Sequence, residues 1–207
     1  MDAVSKSVER EFESLGLDFQ MIPRKKRSDN ISGYYVEGNR SKTMKTFGLP
    51  DSISDAVDVN AKIRIKIDID TDTPEGFGLK HEFRTTPFNY GVTILDKPSL
   101  FAAKTSAVIS RQWKNRIKGR DLFDFEWYIN NRTPINTTYL INNLCRGGLL
   151  KEESTEETIL EILKNRFESI DYDSALSDIR IYVNVNDIPQ DWSSDHFIDL
   201  AKKIEFI

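Results

Sequence analysis

The clearest pattern in the chain runs from Lys62 to Asp70, KIRIKIDID, with Ile63, Ile65, Ile67 and Ile69 on one face and Arg64, Lys66, Asp68 and Asp70 on the other. Such period-two alternation predicts a half-buried strand. Upstream, Val4, Val8, Phe12 and Leu15 recur at helical spacing and Gly16 supplies a stop, so residues 1–16 read as a helix. Residues 17–27, LDFQMIPRKKR, begin as a strand broken by Pro23. Their Arg24-Lys25-Lys26-Arg27 run suits a solvated loop or strand end, with a phosphate-backbone contact as the sharper alternative. Residues 31–36 read as a strand. Residues 41–49, SKTMKTFGL, alternate well enough for another, with Met44 and Phe47 inward. Residues 81–84 and 88–95 are further strand candidates.

After residue 96 the period becomes helical. Pro98 suits a first helical turn, and helices are expected over 99–111, 121–130 and 138–146, the last stopped by Gly147-Gly148. Ser154 and Glu157 form a capping box for a helix to about residue 169, with Ile159, Leu163 and Phe167 as its buried stripe. Residues 179–185, IRIYVNV, are β-prone. Ser193 or Ser194 can cap a last helix with Phe197, Leu200, Ala201 and Ile204 inward. Strands first and helices after predict an α+β fold: an antiparallel or mixed sheet region over 1–95 and a helical C-terminal subdomain over 96–207.

Composition narrows the class. A chain of 207 residues, 39% apolar with twelve Phe, can bury a core in one large or two small domains. No run approaches the roughly 18 apolar residues of a membrane span. The charged N-terminus lacks the apolar stretch of a signal peptide, and a single cysteine, Cys145, fits a reducing compartment, so a cytoplasmic protein is expected. Cys145 reads as a small hydrophobe. Charge is unevenly spread: residues 151–207 hold 6 Lys/Arg and 14 Asp/Glu, while residues 1–150 carry a net +4. That asymmetry is compatible with an anionic ligand on the first part and a solvated or partner-binding acidic tail.

The candidate chemistry lies in two stretches. On a strand, Lys66, Asp68 and Asp70 form a row, and two carboxylates about 7 Å apart with a lysine beside them can hold Mg²⁺ and a phosphate oxygen. An ordinary solvated strand face is the alternative. In the second stretch, residues 96–131, Lys104 and Arg111 are seven apart and share a helix face, with thin Ala103 and Ala107 nearby. KGRDLFDFEWY then puts Gly119 in a turn between Lys118 and Arg120. It also lines Asp121, Asp124 and Tyr128 along one face of a helix that is otherwise apolar. Buried carboxylates need cationic partners, and Lys104, Arg111, Lys118 and Arg120 are at hand. The result is either a salt-bridge network between two helices or a site for a phosphate or nucleotide. Zinc has no His/Cys cluster to hold it, since His81 and His196 lie far apart, and no GxSxG, P-loop or GxGxxG motif occurs.

RIKIDIDTDTPEGF followed by LFAAKTSAVISRQWKNRIKGRDLFDFEWY resembles the AbiEii-type nucleotidyltransferase toxins of bacterial abortive-infection and type IV toxin–antitoxin systems. The resemblance covers roughly residues 60–145. It implies a polymerase-β-like nucleotidyltransferase fold, with NMP transfer from an NTP, with Mg²⁺, to an RNA or protein acceptor, in some members the 3′ end of tRNA. It makes Asp68 a catalytic and metal-site carboxylate with Asp70 and Lys66 beside it. Lys104 becomes the NTP-phosphate lysine and Asp121 the later family aspartate. Lys118 and Arg120 are then its phosphate-binding neighbours, with Arg111 and Asp124 supporting. An antitoxin protein is the implied partner. Family enzymes also carry a Gly-Ser motif and an Asp-x-Asp pair before the first helix. No Gly-Ser pair occurs in this sequence, and the Asp68–Asp70 pair comes too late and on another strand. The expectation is therefore a chain inactive by itself, able to form a homo-oligomer through an exposed sheet edge. A non-catalytic nucleotide- or RNA-binding protein on the same fold is the alternative.

Overall fold

KIRIKIDID forms the strand that its alternation predicts, over Lys62–Asp70. The computed structural model describes residues 2–24, 30–86, 89–112, 117–187 and 191–207, so Lys25, Lys26 and Arg27 of the basic run lie outside the described residues. The chain divides into two compact units, Met1–Thr73 and Pro74–Ile207.

The first unit opens with helix α1 (Asp2–Ser14), followed by β1 (Phe19–Pro23) and β2 (Ile31–Asn39). β3 (Lys62–Asp70) completes a three-stranded antiparallel sheet in the order β1-β2-β3. Its core is Phe19, Met21, Tyr34 and Val36, with Val8 and Phe12 of α1 and three isoleucines of β3 packed against them. The fourth, Ile65, is 53% exposed although it stands opposite Val36. α1 packs on β1, the opposite edge strand of the sheet from β3. β3 is an edge strand of this sheet, and its edge is charged with Lys62, Arg64 and Lys66.

Residues 41–49 are not a strand. They form α2 (Arg40–Thr46), followed by a single turn, α3 (Asp51–Ser54). The Asn39 side chain accepts the Lys42 N–H, and the Thr43 hydroxyl donates back to the Asn39 carbonyl, so the chain is capped into a helix as β2 ends. Gly48, at φ +76°, closes it, with the Leu49 N–H reaching the Met44 carbonyl. Phe47, expected inward, is exposed.

In the second unit β4 (Leu79–Arg84) and β5 (Tyr90–Leu95) form an antiparallel hairpin. Phe88, the expected start of the second strand, lies outside the described residues. The helices follow as α4 (Lys97–Ser110), α5 (Gly119–Asn130), α6 (Thr137–Arg146), α7 (Glu156–Glu168), α8 (Tyr172–Ile179) and α9 (Ser194–Ala201). Asp96 caps α4 by accepting the Ser99 N–H, with Pro98 in the first turn. Phe101, Phe125, Phe167 and Phe197, from α4, α5, α7 and α9, meet in a fully buried aromatic centre. Thr155, not Ser154, stands at the N-cap of α7, without a side-chain cap bond, while the Ser154 hydroxyl accepts the Lys151 N–H. The β-prone run 179–185 forms no strand. Asp171 caps α8 through the Ser174 N–H and hydroxyl, and Ile179 is buried as its last residue. Ile181 and Tyr182 then face water, and Val185–Asp187 is a short 3₁₀ turn. Both sheets are antiparallel, and among the described residues the only parallel pairing is an isolated bridge, Ile135 with Phe206. The fold class is α+β. Among the described residues, no helix is long and apolar enough to cross a membrane.

Candidate functional site

The aromatic centre brings α4 and α5 side by side and sets their charged residues against each other. Lys104 Nζ lies 2.5 Å from Asp124 Oδ2. Seven residues after Lys104, Arg111 Nη1 lies 2.6 Å from Asp121 Oδ1 and also bonds its Oδ2. The structure thus forms the helix–helix network that the sequence offers. Arg111 is no longer on the helix: it is the C-cap of α4, in extended backbone. Lys118 holds the N-cap position of α5, without a side-chain bond. Asp121 lies in the first turn, where a carboxylate suits the positive end of the helix. Tyr128 stacks on Phe101 at 5.0 Å, and burial pushes its phenol up, with Asp124 adding to the effect and Lys104 opposing it.

A residue that pattern reading passed over holds this corner in place. Arg166 of α7 donates from Nε to the Val108 carbonyl at 2.9 Å and from Nη2 to the Arg111 carbonyl. It satisfies carbonyls at the C-terminal end of α4, where helical partners run out. Burial lowers its pKa from the ordinary guanidinium range. It sits among the apolar stripe of α7 as one more charged residue, so nothing in the sequence marks it. Gly119 also differs from its expected role. A Cβ there would come 1.9 Å from the Ala175 carbonyl oxygen, so the glycine lets α5 touch α8 backbone to side. Arg120 leaves the network altogether and lies over the Tyr182 ring, 5.6 Å from its centroid.

The Arg111–Asp121 pair is lopsided, with side-chain exposures of 42% and 4%. Arg111→Ala strands a buried carboxylate and is expected to cost about 3 kcal/mol. Asp121→Ala leaves a guanidinium that can turn to water, and about 1 kcal/mol is expected. Urea denaturation of the two variants checks the order, and equal losses would sink this account.

The first unit carries the other constellation. On the face of the sheet opposite α1, Asp68 binds Arg24 Nη1 through Oδ1 and Lys66 Nζ through Oδ2, both at 2.5 Å. The Lys66 hydrogen bond holds the carboxyl below the usual range, burial opposes it, and the charges of Lys66 and Arg24 add to the lowering. Tyr35, opposite Lys66 on β2, has the guanidinium groups of Arg24 and Arg64 each 5.0 Å from its ring centroid. Asp70 accepts the Asp72 N–H with Oδ1 at 3.0 Å. These residues do not fit a Mg²⁺ ion as they stand. Both Asp68 oxygens are engaged by cations, and among the described residues no group of three or more His, Cys, Asp or Glu side chains could hold a metal.

Other candidates resolve into structural roles. His81 Nδ1 hydrogen-bonds Thr93 Oγ1 across the hairpin. Glu126 accepts from Trp192 Nε1 and pairs with His196 Nε2, both at 2.8 Å, tying α5 to the start of α9. Burial, with Glu152 and Glu153 nearby, pushes the Cys145 thiol up, the opposite of what a nucleophile needs.

Each unit thus presents cations paired with carboxylates on an α+β frame. Residues 7–192 match the family model described as "Nucleotidyl transferase AbiEii toxin, Type IV TA system", and the chain belongs to this family. No curated protein and no solved structure matches it.

Proposed function

We propose that the chain takes up a nucleoside triphosphate and passes its nucleoside monophosphate to an acceptor, RNA or protein, with an antitoxin protein as its partner. The observation that carries this reading is Lys104. It spends one of its three donors on Asp124 and keeps 43% of its side chain open, so it is aimed yet free to meet a phosphate. In this reading Asp68 is the reacting carboxylate, with Lys66 beside it. Asp121 is too deeply buried to meet substrate and serves by holding Arg111. Lys118 and Arg120 offer further cations at the start of α5.

Incubation with labelled NTPs, Mg²⁺ and bulk tRNA tests the reading. Incorporation is expected, abolished by Asp68→Ala and lowered about tenfold or more by Lys104→Ala. The occupied oxygens of Asp68 favour a second reading, in which the chain binds nucleotide or RNA and transfers nothing. On that reading, low-salt binding that weakens in Lys104→Ala and Arg120→Ala is seen without any incorporation.

A further inference from the structure

We propose that Arg24, seated on the Tyr35 ring beside Gly33, is the positioning residue that aims the Asp68 carboxylate across the charged face of β1–β2–β3. The proposal rests on the reading of Asp68 as the reacting carboxylate. Three strands build the arrangement. Arg24 follows β1, and its N–H donates to the Gly33 carbonyl at 2.8 Å, so the ladder continues past Pro23 and fixes its backbone. Its side chain crosses β2 over Tyr35 and reaches Asp68 on β3. Gly33, opposite Asp68 in the register, has no side chain in the way. A Cβ there would come 3.1 Å from Asp68 Oδ1 and 3.2 Å from Arg24 Nη1, pressing on both partners at once.

Two cations hold Asp68, and their burial separates their roles. The Arg24 side chain is 12% exposed and the Lys66 side chain 46%. Lys66 stands two residues away on the same strand, with a flexible stem in water, so it can follow the carboxylate wherever it turns. Arg24 is pinned by a ring, a backbone bond and a planar guanidinium, so the carboxylate must come to it.

Two readouts on the full chain test this. Three-bond couplings report the Asp68 χ1 angle. One rotamer is expected in the native chain and in Lys66→Ala, and rotamer averaging in Arg24→Ala. In the transfer assay, Arg24→Ala is expected to lower kcat 10- to 100-fold, roughly the cost of losing a supporting partner. KM for the NTP should move much less, and Arg24→Lys should recover part of the loss. A single Asp68 rotamer in Arg24→Ala overturns the proposal, as does a KM rise with kcat intact. If the native chain transfers nothing, the reading of the reaction fails, and the χ1 result still decides whether Arg24 aims Asp68. Should Arg24→Ala fail to fold, Arg24→Gln is read the same way, since it keeps the first part of the stem and a polar end but loses the guanidinium.

Discussion

Gly119→Ala is expected to lower stability by about 3 kcal/mol, the upper end of what overpacking costs. The new methyl would lie 1.9 Å from the Ala175 carbonyl oxygen and 2.8 Å from Ile179 Cγ2. The nearer obstacle is backbone, so no rotamer change relieves it, and α5 must move away from α8. Ala175→Gly in the same chain is therefore expected to rescue nothing, because the clashing oxygen remains. Ile179→Ala removes the second contact only and should recover a minor part. Gly148→Ala is a useful contrast: φ is +69° and no atom lies within 4 Å of the added carbon. Its cost is backbone strain alone, about 1 kcal/mol. Urea midpoints at unchanged m-value give the comparison. A loss for Gly119→Ala no larger than that for Gly148→Ala would remove the close approach as the reason for the glycine. The consequence reaches the site, because Asp121 lies two residues on. Pushing the start of α5 outward draws its carboxylate away from Arg111.

That glycine shows where sequence reading succeeds and where it stops. KGRD is visible as a motif, but in the sequence its glycine reads as a turn residue. The chain local to Gly119 contains no trace of Ala175, fifty-six positions away in the sequence. The long periodic segments were legible because one face of each is buried: β3, α4, α6 and α7 fall close to where alternation or helical spacing puts them. Residues 41–49 alternate like a strand, but the Asn39 cap, outside the pattern, takes the chain into α2. Residues 179–185 are β-prone, yet Ile179 ends α8 and the two sheets contain no strand from the rest. Short apolar alternation without a partner strand is weak evidence. The Lys104–Asp124 and Arg111–Asp121 pairs were foreseeable as a set, since buried carboxylates demand cations. Their pairing was not, because helical spacing could not reveal that Arg111 leaves the helix. Arg24 was hidden by its company. It opens a run of four basic residues that reads as solvent-exposed, and its place beside Asp68 follows only from the β1–β2–β3 register.

Phe125→Ala is expected to be at least as damaging, at about 3–5 kcal/mol. The Phe125 ring is fully buried, with ring centroids at 5.7 Å to Phe101, 5.4 Å to Phe167 and 6.4 Å to Phe197. Those partners belong to α4, α7 and α9, so one side chain touches every helix that frames the charged pairs. Removing it takes away transfer free energy and also leaves a cavity that three other rings cannot close without shifting their helices. Phe125→Leu keeps much of the volume but not the edge and face contacts, and should cost about 1–2 kcal/mol. The difference between the two variants separates cavity from aromatic geometry. The damage should also spread in a set direction. α5 carries Asp121 and Asp124 on the face turned to α4, so loosening its anchor frees Lys104 and Arg111 together. Amide exchange checks this: in Phe125→Ala, protection along α4 and α5 should fall together, while the β1–β2–β3 sheet keeps its own. Loss of protection confined to α5 would mean that the pairs, rather than the rings, hold the two helices in register.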